Sequence, residues 1–251
     1  MDLPSFTVAW VLDCTGGHEA IRHFEMSAVL GKPLPRPNPQ PTDVLKMNYL
    51  SRVLAHFFFR RPRVLDLLHQ VGLVGATTQT NADELTALEH YAAGALRAVE
   101  IGTYQGVSAV RIAQVLPPEA LLHCVDPWPE IDGRINACWS ICQRHLRRSG
   151  VDGRIRIIRG YSNEVGAQVP NDLDFAFIDG DHSRTGIEAD WRIVSAKMRR
   201  GGFICLHDTA VPPGEEWRRL DSCGYFDEVI RHDPRFHTVE IVYSMAVMQR
   251  L

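Results

Sequence analysis

From residue 97 onward, short apolar runs alternate with segments whose apolar residues recur every three or four positions. The runs AVEIG (98–102), LLHCVD (121–126), RIRIIRG (154–160), LDFAFI (173–178) and FICL (203–206) predict strands. Helices are predicted between them, at 106–115, 136–148 and 162–168, and in the segment that leads to Gly201-Gly202. Further on, the pattern predicts a helical stretch at 215–220, a strand at 227–231 and one long final strand at 238–249. No helix follows that last run, so it is expected to return antiparallel beside its neighbour. Repeated strand–helix units predict an α/β fold with a doubly wound, mostly parallel sheet.

The first 80 residues lack this alternation. Residues 19–29 are compatible with a short helix, and prolines at 33, 35, 37, 39 and 41 favour a stiff extended connector. Apolar residues at helical spacing then cover 43–70, broken by Arg60-Arg61-Pro62, with a second short helix expected from Arg63 to Val71. Gly72 to Thr80 reads as loop. Asn81 followed by Glu84 has the spacing of a capping box, for a helix ending near Gly94. The expected organisation is a helical extension over 1–80, framing an acceptor, and a ligand-binding domain over 81–251.

Composition narrows the class. A formal net charge of −3 gives no broad basic field, so nucleic acid is not an expected partner. The N-terminus has no basic region before an apolar core, which argues against a signal peptide, and no apolar run is long enough to span a bilayer. A cytoplasmic protein is expected. The six cysteines form no CxxC pair and read as reduced core thiols, including Cys138 and Cys142 on one helical face.

The chemistry gathers where apolar runs end. Leu173–Ile178 breaks into Asp179-Gly180-Asp181-His182, and Phe203–Leu206 breaks into His207-Asp208. Open α/β sheets bind ligands at the carboxyl ends of their strands, so these side chains are expected in one crevice. The first strand runs into Glu100-Ile-Gly-Thr-Tyr-Gln-Gly-Val-Ser108. Gly102 permits a tight turn and Gly106 lets a helix start close to a ligand. Tyr104 takes the place of a glycine in the dinucleotide fingerprint, and Glu100 repels phosphate. Asp126, 24 residues past Gly102, suits ribose hydroxyls. A nucleoside with an amino-acid tail meets these demands better than a dinucleotide.

EIGTYQGVS, CVDPW, FAFIDGDH and GGFICLHDT, in that order over roughly 82–249, resemble class I S-adenosylmethionine-dependent methyltransferases. More narrowly, they are similar to metal-dependent O-methyltransferases that act on sugars of macrolides and related products. The resemblance implies a Rossmann-like sheet. It implies that Glu100, Gly102 and Gly106 hold the methionine portion, with Thr103 and Tyr104 in the same turn. Ser108 would cap the next helix or touch the cofactor, Asp126 would bind ribose, Tyr161-Ser162 would border adenine, and Trp128 would stack near that ring or pack on its own loop. It also implies a divalent cation, Mg²⁺ or Mn²⁺, on Asp179 and the His207-Asp208 pair. The histidine departs from the family's acidic or Asp-Asn pairs and leaves open whether His207 ligates.

Methyl transfer to an alcohol needs the hydroxyl acidified and its proton removed. His182 is the implied base and Asp181 the runner-up, with capping of the next helix as the other role for Asp181. Trp217, Arg218 and Arg219 suit a saccharide, as an aromatic face with donors. Together with the arginine-rich composition, the motif suggests an actinobacterial enzyme acting on a natural-product sugar or a methylmannose oligosaccharide. A catechol- or phenol-type O-methyltransferase and a non-catalytic cofactor-binding module are the alternatives. A homo-oligomer is left open.

Overall fold

The computed structural model describes residues 62–130 and 136–251. The expected helix at 19–29, the proline connector and most of the helix at 43–70 lie outside the described residues. The described elements are helix α1 (Pro62–Gln70), helix α2 (Ala82–Ala92), strand β1 (Arg97–Ile101), helix α3 (Val107–Val115), strand β2 (Leu121–Asp126), helix α4 (Ala137–Arg148) and strand β3 (Ile155–Arg159). They continue with helix α5 (Ser162–Val165), strand β4 (Leu173–Ile178), helix α6 (Arg184–Lys197), strand β5 (Met198–Leu206), helix α7 (Asp221–Glu228) and strands β6 (Phe236–Val242) and β7 (Met245–Arg250). The seven strands form one sheet in the order β3-β2-β1-β4-β5-β7-β6. The first five are parallel, and β7 lies antiparallel between β5 and β6. This is the Rossmann-like methyltransferase fold.

Period-two alternation sorts the strand residues onto two cores. Ala98, Leu122, Cys124, Phe175, Phe177 and Cys205 face one layer, with Leu88 of α2, Ile112 of α3 and Cys142 of α4. Val99, Ile101, Val125, Ala176, Ile178 and Leu206 face the other, with Ile187, Trp191 and Val194 of α6 and Phe226 of α7. Burial on both faces accounts for the near-continuous apolar runs. The Asn81 capping box is present, with Asn81 Oδ1 accepting from the backbone N–H of Asp83 and Glu84 at 2.9 Å each.

Three expectations are corrected along the last third of the chain. Residues 227–231 are not a strand. Cys223, Phe226 and Ile230, all buried, follow a helical spacing that places them in α7 and the 3₁₀ turn Ile230–His232. The single final strand is a hairpin, broken at Tyr243 with a left-handed φ of 55°. The helix expected at 215–220 is one 3₁₀ turn, Glu216–Arg218. In addition, β5 begins at Met198, five residues early, and passes through Gly201-Gly202. A Cβ on Gly202 would lie 2.9 Å from the Leu173 carbonyl oxygen. Among the described residues no helix is long and apolar enough to cross a membrane.

Asp190 of α6 is buried beneath the loop that follows β4, where the Ser162 hydroxyl donates to its Oδ1. Burial pushes its carboxyl from 3.8 up to about 7, Ser162 opposes this, and Asp181 adds to it. The folded chain therefore keeps a proton that the unfolded chain releases near 3.8. This group's contribution to stability is fully present below that value and is lost as pH rises toward 7. Asp190→Asn should gain on the parent by up to about 1.4 kcal/mol per pH unit across that window. Denaturant titrations of both proteins at pH 4 to 8 measure the difference, and parallel curves would contradict it.

Candidate active site

Strand register assembles the site. Ile101 pairs with Val125 on one side and Ile178 on the other, and Ile178 pairs with Leu206. The residues that follow, Gly102, Asp126, Asp179 and His207, leave the sheet side by side. Strand order reverses between β1 and β4, which opens the crevice used by ligands of such sheets.

On the β1 side, Gly102 takes φ +87°, and a Cβ there would lie 1.9 Å from the Asp179 carbonyl oxygen. The Asp179 N–H donates to the Ile101 carbonyl at 2.8 Å, so the two strand ends are laced together. Asp126 accepts from the backbone N–H of Tyr104 and of Trp128, both at 2.8 Å. Burial raises its carboxyl above the usual range, and these N–H donors oppose the rise. Thr103 is buried, Tyr104 holds a left-handed φ of 51° and Gly106 begins α3. Tyr161 is exposed, whereas the Ser162 hydroxyl is turned to Asp190.

Of the two places expected for Trp128, the structure shows the packed one: it is 1% exposed, donates from Nε1 to the Tyr104 carbonyl at 2.8 Å and packs on Trp139. One sequence expectation changes here. Glu100 is fully buried beneath the glycine turn, where the Ser108 hydroxyl donates to it at 2.5 Å. Burial pushes its carboxyl up to about 7. The pair lies under the crevice floor and makes no surface for the methionine portion.

The β4 and β5 ends carry a charge cluster. His207, 3% exposed, directs Nε2 at Glu84 Oε2 (3.3 Å) and Nδ1 at Asp179 Oδ1 (3.0 Å) and Asp208 Oδ2 (3.5 Å). The last two contacts lie off hydrogen-bonding directions, and Nδ1 has no hydrogen-bond partner. Burial works to lower the His207 pKa, but the three carboxylates around it raise it well above its ordinary value. Burial likewise works to raise Asp179 and Glu84, and the facing imidazole holds both below the usual range. Among the described residues no three His, Cys, Asp or Glu side chains are spread as a ready-made metal cage; at these strand ends the carboxylates close on the His207 ring.

His182 is partly exposed, with Nε2 at 3.9 Å from Asp179 and 3.8 Å from Asp208. Asp181 points elsewhere: its oxygens accept from the Ser183 N–H (2.9 Å) and hydroxyl (2.7 Å), leading into α6. Arg218 approaches Asp208 at 3.6 Å and is braced by Glu215 and the Tyr243 hydroxyl. Trp217 is exposed, and Arg219 pairs with Asp227 at 3.2 Å, away from the cluster. Glu84 entered the sequence reading only as a helix cap; its spacing from Asn81 carries no sign of the second role.

A methyltransferase-domain family matches residues 99–209, the span from β1 to just past the His207-Asp208 pair. That match and the relatives below support an S-adenosylmethionine-dependent O-methyltransferase. Pig catechol O-methyltransferase is 27% identical over 135 residues, which are 51% of this chain and 69% of that enzyme. In four curated relatives that it matches, the aligned stretch spans 43 to 69% of their length. Two solved structures share the fold. One is the O-methyltransferase TomG of Streptomyces achromogenes in complex with SAM (TM-score 0.55, 15% identity, covering 83% of this chain and 99% of that one). The other is a Bacillus cereus O-methyltransferase in complex with SAH (TM-score 0.54, 16% identity, covering 80% and 96%).

Because Gly102 leaves no room for a side chain against the Asp179 carbonyl, Gly102→Ala must part β1 from β4 at the crevice. The variant should lose most methyl transfer and bind S-adenosylhomocysteine at least tenfold more weakly, an effect of about 1.4 kcal/mol or more. Calorimetry showing unchanged affinity would refute this.

Proposed function

We propose that the chain methylates a hydroxyl of a sugar or oligosaccharide, using S-adenosylmethionine and a divalent cation, Mg²⁺ or Mn²⁺, held by Asp179, His207 and Asp208. The observation that carries the reading is the meeting of Asp179, His207 and Asp208 at the ends of β4 and β5, with His207 Nδ1 3.0 and 3.5 Å from the two carboxylates and the partly exposed His182 beside them. Such an ion, when bound, acidifies the acceptor hydroxyl as a Lewis acid.

The chain's own residues do the rest. Gly102, Thr103, Tyr104 and Gly106 cradle the methionine portion of the cofactor, while Glu100 and Ser108 support that turn from below. Asp126 uses its remaining lone pairs for the ribose hydroxyls. Tyr161 and Ser162 border the adenine. His182, next to both carboxylates yet open to the crevice, takes the proton from the acceptor hydroxyl. The hydroxyl oxygen then forms the O–CH₃ bond as the S–CH₃ bond breaks. Its electron pair passes to sulfur, leaving S-adenosylhomocysteine. The Ser183 contacts of Asp181 favour His182 over Asp181 in this role.

An aliphatic hydroxyl gains more from a poised base than a phenol does, which supports the sugar acceptor. Similarity to catechol O-methyltransferases supports a catechol as the second reading. Transfer of labelled methyl groups into panels of glycans and phenols separates the two. Label in the glycans, lost with EDTA and restored by Mg²⁺ or Mn²⁺, is the expected result. Label only in catechols would move the assignment to the second reading, and full activity in EDTA would remove the cation. His182→Ala should lower kcat by roughly 10²–10⁴ with cofactor affinity retained. A variant that keeps most of its kcat would show that the proton goes elsewhere.

A further inference from the structure

Gln105 lies inside the Gly102–Gly106 turn and is only 2% exposed, although the turn itself asks nothing of its side chain. A buried amide is costly unless its oxygen and nitrogen find partners. Here the oxygen finds them 28 residues away. Oε1 accepts from the Thr77 N–H at 2.8 Å and from the Thr77 hydroxyl at 3.2 Å. Nε2 faces the Cys138 sulfur, in the first turn of α4, at 3.8 Å. An amide nitrogen in place of Oε1 would set donor against donor, so the Thr77 N–H fixes which way the amide points. Thr77 belongs to the segment between α1 and α2, outside the 99–209 span matched by the methyltransferase family. That segment is itself anchored: Val74 is buried with Leu65 of α1 and Ile141 of α4, and Ala76 packs against them. The Tyr104 phenol lies in the same knot. Burial and the nearby Cys138 raise its pKa, and hydrogen bonds with Thr77 and Gln105 oppose the rise.

The other ties of the turn show what this one adds. The Tyr104 backbone is held from the β2 end, its N–H on Asp126 and its carbonyl on Trp128 Nε1, both at 2.8 Å. Asp126, read above as the ribose partner, takes backbone donors from Tyr104 and Trp128, not from the 74–80 segment. Gln105 is therefore a separate staple. It joins the turn to a segment that contributes nothing to the ribose carboxylate.

We propose that Gln105 is a positioning residue that staples the 74–80 segment to the Gly102–Gly106 turn, and that this staple sets the amino-acid end of the cofactor site while leaving the nucleoside end as it is. The role rests on the placement of the methionine portion proposed above. Without the staple the turn keeps its contacts to β2 but loses the wall formed by Thr77.

The test uses Gln105→Met in the full chain, which keeps the length of the side chain and removes the acceptor. Two ligands are titrated by calorimetry into parent and variant: S-adenosylhomocysteine, and 5′-methylthioadenosine, which keeps the nucleoside and sulfur but lacks the amino-acid portion. S-adenosylhomocysteine binding is expected to weaken about tenfold, the scale of one buried N–H left without its partner, and methylthioadenosine binding to change less than about twofold. A merely structural role would weaken both alike or neither, and either result would overturn the proposal. If Gln105→Met does not fold, Thr77→Val makes the same comparison; it is close to isosteric and removes only the hydroxyl, and a loss of about threefold confined to S-adenosylhomocysteine is expected. A parent that binds methylthioadenosine as tightly as S-adenosylhomocysteine would remove the methionine placement itself, and the role of Gln105 with it.

Discussion

The contact between Gly102 and the Asp179 carbonyl decides how closely β1 and β4 can end. Parallel strands in register would bring any two residues to this row, but here the backbones touch, because a side chain on residue 102 has no volume to occupy. That closeness sets the crevice floor. The glycine turn on one side and the charge cluster on the other are consequently parts of one rigid edge. The Ile101 and Asp179 backbones are hydrogen-bonded across it. In the proposed reading, a cofactor on the β1 side and an acceptor on the β4–β5 side would meet over a fixed span. In-line methyl transfer requires this, since the donor carbon and acceptor oxygen must be aligned before any bond changes.

A buried group of three carboxylates around one imidazole is costly unless each charge is answered. Glu84, Asp179 and Asp208 are answered by His207 and, at the rim, by Arg218. The answer is uneven. Glu84 has three hydrogen-bond donors besides His207, whereas the Asp179 carboxyl relies on the histidine side of the cluster. The least satisfied part of the arrangement is thus the space between Asp179, Asp208 and Nδ1, which opens on His182 and the crevice. Structural ion pairs tend to be sealed on all sides. This one is sealed at the Glu84 end only.

Much of this was readable in the sequence, and the failures have physical causes. β2 and β4 fall on their expected bounds because strands buried on both faces leave continuous apolar runs. The polar residues that end them could be placed at one edge without any coordinates, since parallel register follows from the alternation of strands and helices. The last third was less legible. Residues 227–231 form a short mixed run whose helical spacing emerges only when Cys223 and Phe226 upstream are counted with Ile230. The break at Tyr243-Ser244 contains no glycine, proline or asparagine; the left-handed tyrosine is held by its hydroxyl on Glu215 and by Ser244 on Glu84. The direction of Trp128 depends on its φ of 36° and on Tyr104, neither of which local sequence specifies.

Glu84 marks the boundary of such reading. Spacing from Asn81 explains it fully as a helix cap, so nothing prompts a search for a second partner. Its other contacts lie more than a hundred residues away, at Ser244 and His207. Yet the departure at position 207 carries a requirement that sequence reasoning could have stated. An aspartate at a strand end is burdened by burial, and so is a charged imidazole, but the imidazole can be answered by carboxylates. A buried histidine in place of an acid is matched here by carboxylates on both of its nitrogens, and α2 supplies one of them from outside the methyltransferase span. By this argument the 81–96 segment is part of the active site's construction and not only a cover for the sheet.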